Sequence, residues 1–238
     1  MILNPDTLVL LEIGPLRLNA TIAGTWLVML VLAGGSWLVT RRLQTGPRIA
    51  RWQNLLEVVV VTLSENIREI GQRTPERYLP LIGTLFLFIA AANLLAIVPG
   101  FVAPTASLST TSALAICVMI AVPVYGITEK GLSAYLLDYL RPTPLMLPFK
   151  LIGEISRTIA LALRLYGNIM SGTLIVGSLL SVAPFLFPIV MQLLGLLTGM
   201  IQAYIFAVLA MVYIASAVSA HDRIQNNGSS ADEAASRT

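Results

Sequence analysis

Residues 165–220 read LYGNIMSGTL IVGSLLSVAP FLFPIVMQLL GLLTGMIQAY IFAVLAMVYI ASAVSA, without a single Asp, Glu, Lys, Arg or His. Two further uncharged runs extend from Leu18 to Thr40 and from Tyr78 to Thr128. Apolar stretches of about 18 or more residues without charge are transmembrane helices. The competing account, core helices of a large soluble protein, fails on the length and number of the runs. Composition agrees: 56% of residues are hydrophobic and 11% charged, against about 45–50% and about 25% in soluble domains. The fold class is an all-α integral membrane protein.

Working outward from the opening run, Pro184 and Pro188 divide it. Leu151 to Ala183 and Ile189 to Ala220 are then two long apolar helices, a hairpin over 151–220. At 1.5 Å per residue each runs to about 50 Å, against a hydrocarbon core of about 30 Å. Ordinary tilt of about 20° does not absorb that excess, so both are expected to lie strongly tilted. Gly167, Gly172, Gly177, Gly195 and Gly199 are expected to permit bending and close helix contact.

Residues 19–128 hold three spans: Asn19 to Thr40, Tyr78 to Val98 and Thr111 to Thr128. Between the first two, over 49–70, apolar residues recur at helical spacing with Arg51, Glu57, Glu65, Arg68 and Glu69 between them. That pattern is an amphipathic helix, suited to an interface. Residues 129–150 form a Pro-rich connection. The polar tail 221–238 is expected to be disordered. Cys117, the only cysteine, lies in an apolar run and is expected to pack inside.

The segment from Arg41 to Arg77 is rich in arginine, whereas the turns near 99–110 and 181–188 carry no basic residue. The positive-inside rule places the arginine-rich segment in the cytoplasm. Counting spans then puts residues 1–18 outside and the connection and tail inside. Asp6 and Glu12 occupy the N-terminus, which lacks the basic region of a cleaved signal peptide. The basic residues flank spans, so orientation explains them and a nucleic-acid partner is not implied.

One charge breaks the pattern. Arg164 stands in Ile159-Ala-Leu-Ala-Leu-Arg-Leu-Tyr-Gly-Asn168. Charge within a membrane is costly and marks function. Arg157, Ala160, Gly167, Asn168, Ser171 and Ser178 share its helical face, a small and polar stripe. A guanidinium does not release its proton in a working cycle, so Arg164 is a fixed positive charge and not a relay. Such a charge lowers the pKa of a carboxylate that approaches it. Glu154 lies on a different face, so that carboxylate is expected on another subunit. Gln202 and Gln192 are the strongly polar side chains inside the last helix. Gln202 is expected to bond across the hairpin to Arg164 and Asn168.

Four motifs carry a family resemblance. Arg164-Leu-Tyr-Gly-Asn168 with Ile-Met-Ser-Gly172, and the run Ile201-Gln-Ala-Tyr-Ile-Phe-Ala-Val-Leu-Ala-Met-Val-Tyr213, resemble the arginine and final-helix glutamine motifs of subunit a of rotary F-type ATP synthases. Asn93-Leu-Leu-Ala-Ile-Val-Pro-Gly100 and Gln53-Asn-Leu-Leu-Glu57 are similar to that family's second span and amphipathic segment. The resemblance implies a non-catalytic stator subunit in a bacterial cytoplasmic membrane. Its partners would be a rotating ring of c subunits and the peripheral-stalk b-type subunits. It would provide two aqueous half-channels, with Arg164 as fixed charge and leak barrier and Gln202 and Asn168 positioning the ion-carrying carboxylate.

Two positions depart from the family pattern. Thr173 stands where many members have a carboxylate, and Gly195 where a His or Glu is common. The outer half-channel is therefore expected to be lined by neutral groups: Asn93, Thr173, Ser178 and Gln192. Glu154 and Tyr213 are expected in the inner one. Neutral oxygens suit H⁺ on a water wire or hydrated Na⁺, and H⁺ is the reading adopted. No cofactor or metal ligand set is read, and no Gly-rich nucleotide loop of the Lys-Ser/Thr type is present. The rival reading is a secondary transporter with an anion-binding Arg164, but transporters commonly show internal repeats and none is visible here.

Overall fold

The computed structural model describes residues 9–13, 16–41, 51–70, 75–98, 101–133, 135, 146–182 and 187–219. The expected disordered tail, 221–238, lies outside the described residues. Six long helices follow one another: α1 Ala20–Thr40, α2 Arg51–Glu69, α3 Pro75–Leu95, α4 Leu108–Lys130, α5 Met146–Val182 and α6 Phe187–Ser219. Among the described residues, five of them, all but α2, are long and apolar enough to cross a membrane. Ahead of them stands a short antiparallel hairpin, Val9–Ile13 with Leu16–Asn19, in which Glu12 faces Arg17.

Helix ends follow local chemistry. α3 opens on Pro75, whose fixed φ suits a first helical position. The Ser107 hydroxyl caps α4 by accepting from Ser109 N at 3.2 Å. α4 ends at Gly131, whose φ of 83° is left-handed and whose N–H reaches Ile127 O at 2.8 Å. α5 starts at Met146, not Leu151 as the prolines suggested. Pro148 falls in the first turn, where an N–H has no intrahelical partner to lose. Pro188 sits likewise in the first turn of α6. The two helices have 37 and 33 residues, about 55 and 50 Å of rise.

α6 is the centre of the packing: it lies against α3, α4 and α5, and α5 also packs on α4. α2 and α1 attach through α3. The shared core holds Ile82, Ile89, Leu161, Leu165, Phe206 and Ile214, each no more than 1% exposed. α2 contributes Leu63 and Ile67 and leaves Glu57, Glu65, Arg68 and Glu69 exposed, as its amphipathic spacing requires. It is tied to α6 by the Tyr204 hydroxyl, which donates to Asn66 Oδ1 at 3.2 Å. At the start of α3, Arg77 pairs with Glu129 of α4. The Tyr78 hydroxyl donates to the same carboxylate at 3.3 Å, and the rings of Tyr78 and Tyr125 meet at 5.1 Å.

Two expectations about small residues change. A Cβ at Gly167, Gly172 or Gly195 would meet nothing within 4 Å. These glycines are therefore not points of close helix contact. The close approach is made by Ala203, Ala207 and Ala210 of α6, all fully buried, one face of the helix at spacings of four and three. Gly199 continues the contact: a Cβ there would stand 2.9 Å from Asn93 Cγ. Cys117, expected to pack inside, is exposed, on the face of α4 that also carries Ile116 and Ile120. In a span, apolar side chains face outward as readily as inward, so apolarity alone does not place a residue in the core.

The Gly199 contact is testable. Gly199→Ala is expected to cost about 1–3 kcal/mol through overpacking, read as a lower thermal inactivation midpoint of the purified protein. Gly195→Ala has open space and is expected to leave that midpoint unchanged.

Candidate functional site

The open face of α5 carries the stripe anticipated around Arg164. Arg157, Ala160, Arg164, Gly167, Ser171 and Ser178 are all exposed, and Asn168 is half-buried. Large apolar side chains flank it: Ile159, Leu163 and Leu174 on α5, Leu197 and Ile201 on α6, all exposed. Arg164 is thus a charge on an apolar surface, presented outward and not into the bundle.

Gln202 sits differently. It is 7% exposed, and its Nε2 is buried with no hydrogen-bond partner. The bond expected from this amide to α5 is not made. The physical reason is placement: Gln202 lies in the packed seam, whereas Arg164 is turned to the open face. Asn168 lies between these extremes and reaches a cavity.

That cavity, of about 320 Å³, is lined by Asn93, Asn168, Thr173, Gly177, Gln192 and Gly195 among others. It brings together four of the residues singled out by sequence, from α3, α5 and α6. Ser178 is not among its walls; it is exposed, and its hydroxyl donates to Ile175 O at 3.0 Å. The donors lining the cavity are largely spent on backbone. Asn93 Nδ2 donates to Gly199 O at 2.8 Å. The Thr173 hydroxyl donates to Met170 O at 2.9 Å. Gln192 Nε2 reaches Ala96 O and Ile97 O at 3.5 and 3.4 Å, carbonyls left open where α3 ends. Thr173 is left with acceptor oxygen, whereas the Asn93 amide keeps a second N–H as well as its oxygen. The rest of the wall is apolar, with Ile97, Ile169, Val176, Met191 and Leu196, so a few polar groups stand in an otherwise apolar cavity.

The second recess lies at the opposite end of the α5–α6 pair. It is a cleft of about 20 Å³, room for about one water. Glu154, Arg157, Thr158 and Leu161 of α5, Val122 of α4 and Tyr213 of α6 line it. Glu154 and Tyr213 were anticipated together. Arg157 and Thr158 were not singled out for this recess, although Arg157 lies two turns before Arg164 on one face, a spacing legible in the sequence.

The early part of α5 therefore meets the late part of α6, and the late part of α5 meets the early part of α6, so the two helices run antiparallel. Between the recesses, Leu165, Ala203, Phe206, Ala207 and Ala210 are fully buried. Among the described residues, no wall residue is common to both recesses. Arg164 lies on α5 after the last residue of the cleft and before the first of the cavity.

Known proteins match this chain over nearly its whole length. A protein of Chlorobaculum parvum named ATP synthase subunit a 1 is 57% identical over 94% of this chain and 99% of its own. The ATP synthase subunit a of Nitrosospira multiformis is 56% identical over 98% of this chain and 92% of its own. The ATP synthase subunit a 2 of Acaryochloris marina is 59% identical over 91% and 93%. These likenesses give no support to a secondary transporter. The family model described as ATP synthase A chain matches residues 22–215, a stretch that includes all five candidate spans but the extremes of the first and last, and the chain belongs to that family.

Proposed function

We propose that this chain is the non-catalytic stator subunit through which a rotary ATP synthase passes H⁺ across a bacterial cytoplasmic membrane. The observation that carries the reading is Arg164, exposed on an apolar face between two recesses, each holding a few polar side chains, that share no wall among the described residues. A ring of c subunits would slide its carboxylates over that face. Arg164 keeps the passing carboxylate ionised by its fixed charge. The same charge repels a proton that would cross directly from one recess to the other. An ion therefore crosses only by riding the ring, and each charge moved gains about 2.3 kcal/mol per 100 mV of membrane potential.

The cavity that holds Asn93, Thr173 and Gln192 would serve the outer side, and the cleft of Glu154 and Tyr213 the inner side. Asn168 would position the carboxylate. The arginine-rich segment from Arg41 to Arg77 supports this orientation, with the N-terminus outside and the C-terminus in the cytoplasm. The rise of α5 and α6, well beyond the bilayer core, supports strong tilt of both. The exposed apolar surface of α1, with Trp26, Leu30 and Leu38 outward, suits lipid and the peripheral-stalk b-type subunits.

Arg164→Ala is expected to abolish ATP-driven pumping in membrane vesicles while the complex still assembles, because the side chain makes no buried contact. Arg164→Lys should also pump poorly, since a compact ammonium lacks the planar donor array. Normal pumping by Arg164→Ala would sink the mechanism. For the ion, pumping should proceed in vesicles without added Na⁺; strict dependence on Na⁺ would overturn H⁺. A cysteine scan on a Cys117→Ala background tests the two recesses. Thr173→Cys should react readily with a water-soluble thiol reagent, and Phe206→Cys, in the buried seam, should stay unreactive.

A further inference from the structure

Arg157 has no task in the function proposed above, yet its setting is specific. It is exposed on the same face of α5 as Arg164, about 10 Å earlier along the helix axis. Its guanidinium carbon lies 5.4 Å from the centroid of the Tyr213 ring, a cation–π distance. The contact bridges α5 to α6 at the recess that also holds Glu154 and Thr158. The other walls are packed. Leu161 is 1% exposed, and Val118 and Val122 of α4 are buried. The Thr158 hydroxyl is turned onto its own helix, donating to Glu154 O at 2.9 Å. Tyr213 is half-buried; it packs against the core and meets the guanidinium of Arg157 at the cleft. The stack with Arg157 holds it where the cleft keeps about 20 Å³.

We propose that Arg157 is a positioning residue: by stacking on Tyr213 it sets the bore of the inner cleft at about one water, and so governs the ion's passage between the Arg164 face and the inner side. The inference rests on the ion-path reading above. Arginine suits the task because it is planar, permanently charged and weakly hydrated, and stacks on rings more readily than lysine.

The test uses the assembled synthase in inside-out vesicles, whose inner face is accessible. On a Cys117→Ala background, Thr158→Cys reports the bore through its rate of reaction with a small water-soluble methanethiosulfonate. Arg157→Ala and Tyr213→Leu are each expected to raise that rate roughly two- to fivefold, the shift an exposed contact of this kind supports. ATP-driven pumping should fall by a similar factor in both. Arg157→Lys keeps a cation over the ring and should fall between the parent and Arg157→Ala in both readouts. An unchanged labelling rate in Arg157→Ala would overturn the proposal, as would Arg157→Lys being as defective as Arg157→Ala. Should Arg157→Ala fail to assemble, Tyr213→Leu carries the test from the other side of the stack. Arg164→Ala, measured alongside, separates the two readings. If it pumps normally, the ion-path reading fails. If it is dead while Arg157→Ala labels and pumps like the parent, only the role of Arg157 fails.

Discussion

The seam between α5 and α6 is the constraint on which the rest depends. Lipid tails are as apolar as leucine, so burying apolar surface does not by itself drive two spans together. The seam is held by close packing instead. Ala203, Ala207 and Ala210 let α6 approach its neighbours, and Leu161, Leu165 and Phe206 fill the space beside them, all at 0–1% exposure. Many small dispersion contacts add up along such a line. Were the seam loose enough to hold water, the cavity and the cleft would join. A charge placed at Arg164 would then stand beside a continuous path instead of between two closed ends.

Polar groups in this setting are costly unless paired, and the pairing decides what each recess offers. Asn93 gives its amide hydrogen to Gly199 O, which anchors α3 on α6 and leaves its oxygen available. Thr173 gives its hydrogen to its own helix. Gln192 turns to the open carbonyls at the end of α3. One set of bonds thus closes helix ends and helix contacts at the cavity wall. The cleft is the reverse case: a carboxylate, a guanidinium and a phenol crowd a volume near that of one water. The two recesses differ in size and in chemistry.

The spans, their order and the isolated charge were legible without coordinates. Exclusion of charge from hydrocarbon acts on each residue separately and strongly, so it leaves a plain record along the chain. That record supplied the uncharged runs, Arg164 and the motifs around it. The amphipathic α2 was legible for a related reason: its face changes between apolar and charged, and Leu63 and Ile67 fall on the buried side. The start of α5 was misread because prolines normally interrupt helices, whereas Pro148 occupies a first turn where its missing N–H has no consequence.

Only the tertiary structure decided which way each span faces. In a membrane helix both faces are apolar, so hydropathy has no inward or outward sign. Cys117 is outward, three of the five noted glycines face open space, and alanines take the close contact instead. The same ambiguity hid the partners of polar residues. Gln202 is buried away from the open face of Arg164, Asn93 meets a backbone carbonyl of α6, and Arg157 stacks on Tyr213, more than fifty residues along the chain. The sequence by itself determined that a fixed charge sits within the membrane part of this protein. Packing across α3, α4, α5 and α6 alone determined that this charge lies between two recesses and not inside either.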